Sequence, residues 1–128
     1  MIENIREIPV AQLLGDVQKM LYDGYRFVSA TCVDNGDGTF DVIYHFDKDL
    51  VLSNYRVKLA KSEELPSISR IYFCAILVEN EMKELFGLNV TNIAIDYGGH
   101  MLLSDGAPDT PMLRQQITIV KKGEEKNA

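Results

Sequence analysis

The chain has 128 residues, 46% hydrophobic and 25% charged, which suits one globular domain with its own core and excludes disordered and collagen-like classes. A net charge of −6, with no basic cluster larger than Lys121-Lys122, argues against binding to a phosphate backbone or directly to an anionic membrane. The opening MIENIREIPV lacks a signal-peptide pattern, and the longest apolar run, YFCAILV (72–78), is far too short to span a bilayer.

The first helix starts near Pro9, a residue suited to a first turn. Val10, Leu13, Leu14, Val17 and Leu21 recur at helical spacing, and Gly24 is a stop. Three strands follow. RFVSATCV (26–33) is rich in β-branched and aromatic residues. In TFDVIYHF (39–46), Phe40, Val42, Tyr44 and Phe46 face one way and Thr39, Asp41, Ile43 and His45 the other. In LVLSNYRVKLA (50–60), Val51, Tyr55, Val57 and Leu59 share a side. The joints DNGDG (34–38) and DKD (47–49) carry hairpin chemistry. DNGDG is not a calcium loop, because Gly36 occupies a ligand position and no Glu follows at the required spacing. LAKSEELPSIS (59–69) is a polar connector broken by Pro66. Ser69 is the expected N-cap of a second helix over about 70–86, with Gly87 as its stop.

VTNIAIDY (90–97) suggests a fourth short strand, GGHMLLSDGAPDTPML (98–113) a loop, and QITIVKK (116–122) a further strand. These elements predict an α+β fold: a small antiparallel sheet, built from a three-strand meander plus one or two further strands, with helices packed on one face. A single domain is expected over 1–120, with a disordered tail over 121–128. Cys32 and Cys74 lie in different elements without CxxC spacing and are expected to be buried free thiols. Two cysteines cannot alone ligate an iron–sulfur cluster, so no redox centre is expected in this protein.

The densest chemistry is ENEMKELFGL (79–88) at the end of the second helix. On a wheel at about 100° per residue, Ile71, Cys74, Ala75, Val78, Met82, Leu85 and Phe86 form the expected core stripe. Tyr72, Phe73, Ile76 and Leu77 fall on the remaining faces, which hints at a second cover from a loop or another polypeptide. Glu79 and Glu81 lie about 200° apart and flank the stripe, so they cannot act as a carboxylate dyad. Glu79 is placed to pair with Lys83 at i,i+4, whereas Glu81 and Glu84 are like-charged neighbours at i,i+3. An ordinary solvated face, a metal pair and a patch awaiting basic groups from a partner all fit the spacing. The first is the simplest, and a metal would want a histidine that this helix lacks. His45 sits on a strand face near Asp41 and Asp47 and reads as structural or exposed. His100 follows Gly98-Gly99 in a loop without a recognisable partner.

The stretch PSISRIYFCAILVENEMKELFGL (66–88) resembles the signature region of the 30-kDa subunit family, the hydrophilic C subunit of NADH:quinone oxidoreductase (respiratory complex I). Pro66 and Ser67 match its opening, Glu79 and Glu81 its two glutamates, Glu84 the acid that is usually Asp, and Phe86-Gly87-Leu88 its end. Asn80 stands where the family usually has Arg, and DYGGHMLL replaces the expected His-Pro-Asp-Leu-Arg-Arg segment. With the short length, these departures favour the short subunit of an energy-converting, membrane-bound (group 4) NiFe hydrogenase or a related complex.

The resemblance implies a non-catalytic subunit that carries no cofactor and binds no metal. It would dock on a large subunit and an iron–sulfur small subunit, with NiFe and iron–sulfur centres in those partners, on the cytoplasmic side of the membrane. Glu79, Glu81, Glu84, Phe86 and Gly87, the motif residues, would then belong to the partner interface; apart from the motif, Tyr72, Phe73, Ile76, Leu77 and His100 are further candidates for it. Two other classes stay open: a stand-alone enzyme using His100, and a self-associating binding module.

Overall fold

Alternation along the middle strand organises the molecule. The computed structural model describes residues 4–99, 101–103 and 110–112. In sequence order it contains β1 (Ile5–Glu7), a single 3-10 turn over Val10–Gln12, α1 (Leu13–Tyr22), β2 (Arg26–Asp34), β3 (Thr39–Lys48) and β4 (Val51–Ala60). There follow β5 (Glu64–Pro66), α2 (Ala75–Phe86) and β6 (Asn89–Thr91). The main sheet has the order β1-β4-β3-β2, antiparallel through the meander and parallel where β1 joins β4.

On β3, Phe40, Val42, Tyr44 and Phe46 are buried, as the alternation predicts. Leu59, Val57 and Tyr55 of β4 lie directly opposite the first three and complete one apolar face. In β2 a bulge between Phe27 and Ser29 adds one residue, so Phe27 and Ala30 both reach that face and Val28 is turned outward. The opposite face is polar: His45 bonds Thr31 at 2.9 Å and Asn54 at 2.7 Å, and Arg56 approaches Asp41 at 3.5 Å. These two bonds tie His45 into the polar face. The β3–β4 turn consists of Asp49 and Leu50, both with positive φ (54° and 68°), the backbone hand that suits a two-residue hairpin.

Both helices contribute to one core against the apolar face. Leu13, Val17 and Met20 are the buried residues of α1. Leu14 and Leu21, expected in that stripe, are each 42% exposed, because they sit one position beyond the i, i+4, i+7 line that meets the sheet. Tyr72 stacks near Phe27 and Phe46, and Phe86 meets Phe40 edge-on at 6.4 Å.

Two short strands escape the period rules. β1 is three residues long and pairs with a partner about fifty positions away in sequence, from Ile5 opposite Asn54 to Glu7 opposite Arg56. β5 lies inside the expected connector and pairs in parallel with β6, Leu65 opposite Val90, both buried. Of the expected strand 90–97, only Asn89–Thr91 forms one. The expected strand over 116–122 and the tail lie outside the described residues.

Candidate functional site

The second helix begins later than its sequence suggests. Residues 68–74 run through successive turns, with Tyr72 N donating to Ile68 O at 2.8 Å and Ala75 N to Tyr72 O at 3.0 Å. Cys74, not Ser69, is the N-cap, and the helix start has no side-chain cap. Ser69 is engaged elsewhere: its hydroxyl accepts Ala94 N–H at 2.8 Å and lies 2.6 Å from Ser67 Oγ. The C-terminus follows expectation. Gly87 has φ 77° and donates to Lys83 O, a left-handed stop.

Relative to the expected stripe, the buried face of α2 is rotated by about one residue. Ala75, Ile76, Glu79, Asn80, Met82 and Glu84 are buried, whereas Cys74 is exposed. Val78, Leu85 and Phe86 are half-buried at its margins. The expectation of two buried thiols therefore fails at Cys74. Cys32 is half-buried, and burial with Asp34 and Asp41 nearby pushes its thiol pKa up to about 12.

Glu79 does not form the expected surface pair with Lys83. It is fully buried, and its carboxylate accepts Ser67 Oγ–H at 2.5 Å and Ile68 N–H at 2.8 Å. Since the single Ser67 proton goes to Glu79, the Ser67–Ser69 bond has Ser69 as donor. A directed relay results, from Ala94 N–H through Ser69 and Ser67 to the carboxylate. Burial raises the Glu79 pKa above the usual carboxylate range, and the Ser67 and Ile68 bonds pull it partly back.

Asn80, beside it, is also fully buried. Its amide donates to Ile76 O and Ile95 O, each at 2.9 Å, and accepts Tyr97 N–H at 3.0 Å. One turn on, Glu84 accepts three successive backbone amides, from Met101, from Leu102 at 2.7 Å and from Leu103 at 3.1 Å. A carboxylate thus takes the role that an anion plays in a backbone nest. Lys83 pairs with Asp96 at 2.5 Å, and with the Gly98 amide it holds the Asp96 carboxyl below its usual range.

The solvated-face expectation therefore fails for Glu79 and Glu84. Both bind backbone amides of their own polypeptide, which offers more than water does to a carboxylate already removed from solvent. Only Glu81 of the three glutamates is exposed. The four apolar residues expected on the remaining faces divide. Tyr72 is buried, with its hydroxyl donating to Tyr25 O at 2.7 Å, and Ile76 joins the core, while Phe73 and Leu77 are 66% and 62% exposed. Phe86 packs on the sheet, and Gly87 lies against Thr110. His100 lies outside the described residues.

Ser67, Ser69 and Asn80 are the participants that sequence reasoning did not single out as site residues. The Pro-Ser of the signature held a signal for the first, since a Ser in a turn tends to bond nearby backbone groups, and Ser69 N–H donates to Ser67 Oγ at 2.9 Å. Among the described residues, no group of three or more His, Cys, Asp or Glu is arranged to hold a metal ion. Tyr44 is buried under the same helix with its hydroxyl unpaired. Burial and the Glu79 charge raise its pKa far above normal, so it keeps its proton. The arrangement is mechanical: α2 ties three separate backbone segments to itself and keeps Phe73, Leu77 and Glu81 outside.

The class so defined is a small α+β domain whose central helix braces its own loops. Residues 5–119 match the family described as "Respiratory-chain NADH dehydrogenase, 30 Kd subunit", and the protein belongs to that family. No curated protein matches it. Among solved structures it is similar to a subunit in the structure of the membrane-bound sulfane sulfur reductase, an archaeal respiratory membrane complex. The TM-score is 0.64 at 17% identity, over 83% of this chain and 65% of that one. At that identity the likeness shows a shared fold, and this protein spans less than two thirds of its neighbour's length.

Proposed function

We propose that the protein is a non-catalytic peripheral subunit of a membrane-bound hydrogenase or complex I-like oxidoreductase. It docks on the large subunit and the iron–sulfur subunit and supports electron transfer coupled to ion translocation. The NiFe and iron–sulfur centres belong to those partners, and through them the protein sits at the inner face of the cell membrane. No helix among the described residues is long and apolar enough to cross a membrane.

The family match over residues 5–119 carries this reading. The helix geometry supports it: the signature glutamates Glu79 and Glu84 shape the domain from within, and the outer stripe of Phe73, Leu77 and Glu81 is left for a neighbour. Glu79, Glu84, Phe86 and Gly87 then serve the interface by holding α2 and its loops in place, and Glu81 serves it by contact.

The test is co-purification from the native host. The tagged protein, recovered from detergent-solubilised membranes, is expected to bring the large and iron–sulfur subunits in equal amounts. Recovery of the protein alone from the soluble fraction refutes the proposal. Glu81→Ala is expected to spare the fold, with an unchanged melting temperature, and to weaken that association.

A further inference from the structure

Between α2 and the segment that Glu84 pins lies an open groove of about 410 Å³. One wall is helical, from Leu77, Val78 and Glu81. The other is Met101 and Leu102, and Ser29 of β2 lines the base. The second wall has little sequence-encoded shape of its own. The three amides given to Glu84 fix it, one turn beyond Glu81 on the same helix. Leu102, like Leu77, is largely exposed, so each wall presents an apolar side chain to its surroundings, and Phe73, just before α2, is exposed as well.

A small-molecule site of this volume would enclose most of its ligand. This groove is partly open to its surroundings, which suits a side group projecting from another polypeptide. Its charge is equally specific. Glu81 forms no ion pair or hydrogen bond among the described residues; Lys83, two positions on, lies on another side of the helix and pairs with Asp96. The protein as a whole carries a net charge of −6, which favours a cationic neighbour at this site.

We infer that this groove receives a segment of a partner subunit in which a large apolar side chain lies within two residues of a Lys or Arg. The apolar group fills the space between Leu77 and Leu102, and the cation meets Glu81. An apolar anchor beside a charge-assisted bond is the usual composition of an interface hot spot. The inference rests on the subunit reading above and gives it a contact point and a chemistry.

A photo-crosslinking residue placed at Leu77 of the full-length protein tests it in the assembled complex, purified from membranes and mapped by mass spectrometry. The expected crosslink falls on a partner-subunit segment with the stated apolar-plus-basic pattern. Leu77→Asp and Glu81→Lys should each weaken retention about 30-fold. Exchanging the mapped Lys or Arg for Glu should restore retention to Glu81→Lys. Circular dichroism melts of both variants are expected to match the unaltered protein, since both positions are exposed.

A crosslink to residues 104–128 of the same polypeptide, to a second copy, or to lipid overturns the inference. So does full retention of Glu81→Lys. In all those cases co-purification of the unaltered protein still stands, and the subunit reading survives. If the unaltered protein does not co-purify, both fall together.

Discussion

Replacing Glu79 by Ala tests whether the buried carboxylate holds α2 to the Ser67–Ser69 turn. The substitution removes two hydrogen bonds to a charged acceptor, from Ser67 Oγ at 2.5 Å and Ile68 N at 2.8 Å. Each of the two donors is left buried without a partner, at a cost of about 1–3 kcal/mol. Relief from holding a desolvated charge offsets part of this, so a net loss of about 3 kcal/mol is expected. For a domain of this size that corresponds to a fall of roughly 12 °C in Tm. Urea unfolding followed by circular dichroism measures the loss directly. A loss below about 1 kcal/mol would refute the assignment of Glu79 as the joint.

The pH dependence supplies an independent check. Burial raises the folded-state pKa of Glu79. Below the unfolded-state value both states are protonated and the group has no differential effect. As pH climbs from there through the raised folded value, the unfolded state ionises first and stability falls. Glu79→Gln keeps the shape and removes the titration. Its stability relative to the unaltered protein is therefore expected to rise from acid towards neutral pH. The opposite slope would mean that the hydrogen bonds outweigh burial.

Other outcomes follow from the same geometry. Asn80→Ala leaves the Tyr97 amide and Ile95 carbonyl without their partner, and about 2–3 kcal/mol of stability should be lost in denaturant melts. Lys83→Ala should cost less than about 1 kcal/mol by the same measurement, since Lys83 and Asp96 are 31% and 40% exposed. Gly87→Ala imposes a left-handed backbone on a residue with a Cβ, which would lie 2.9 Å from Thr110 Cγ2. It should cost about 1–2 kcal/mol or more and loosen the Met112 N to Leu85 O bond, seen as faster exchange of that amide. Iodoacetamide at about pH 8 should label exposed Cys74 in the folded protein. Cys32, with its pKa pushed up to about 12, should be labelled after denaturation only.

The strands were legible because their signal is local. Phe40 to Phe46 alternate strictly, and turn residues bound each run. The phase of α2 was not, for a specific reason. A hydrophobic wheel assigns carboxylates to solvent, but Glu79 and Glu84 are buried against backbone amides of Ile68, Met101, Leu102 and Leu103. Every non-proline residue offers that amide, so the partner leaves no trace in residue type. The same limit hid β1 and β5, each too short to show a period and each defined by a distant parallel neighbour. What residue identity could convey was the unusual density of acids before Phe86-Gly87, and with it the family.

Asn80, Lys83 and Glu84 grip 95–97 and 101–103, and Glu79 grips the turn before the helix, so four attachments are set by angular position on one rod. Inserting or deleting a single residue within Ala75–Phe86 would turn everything beyond it by about 100°. Single replacements in α2 break these attachments one at a time, whereas an insertion between Glu79 and Asn80 would misalign the last three together. Spacing along this helix should therefore tolerate change less readily than any single identity on it, and the exposed β3–β4 turn at Asp49-Leu50 is where a change of length can be absorbed.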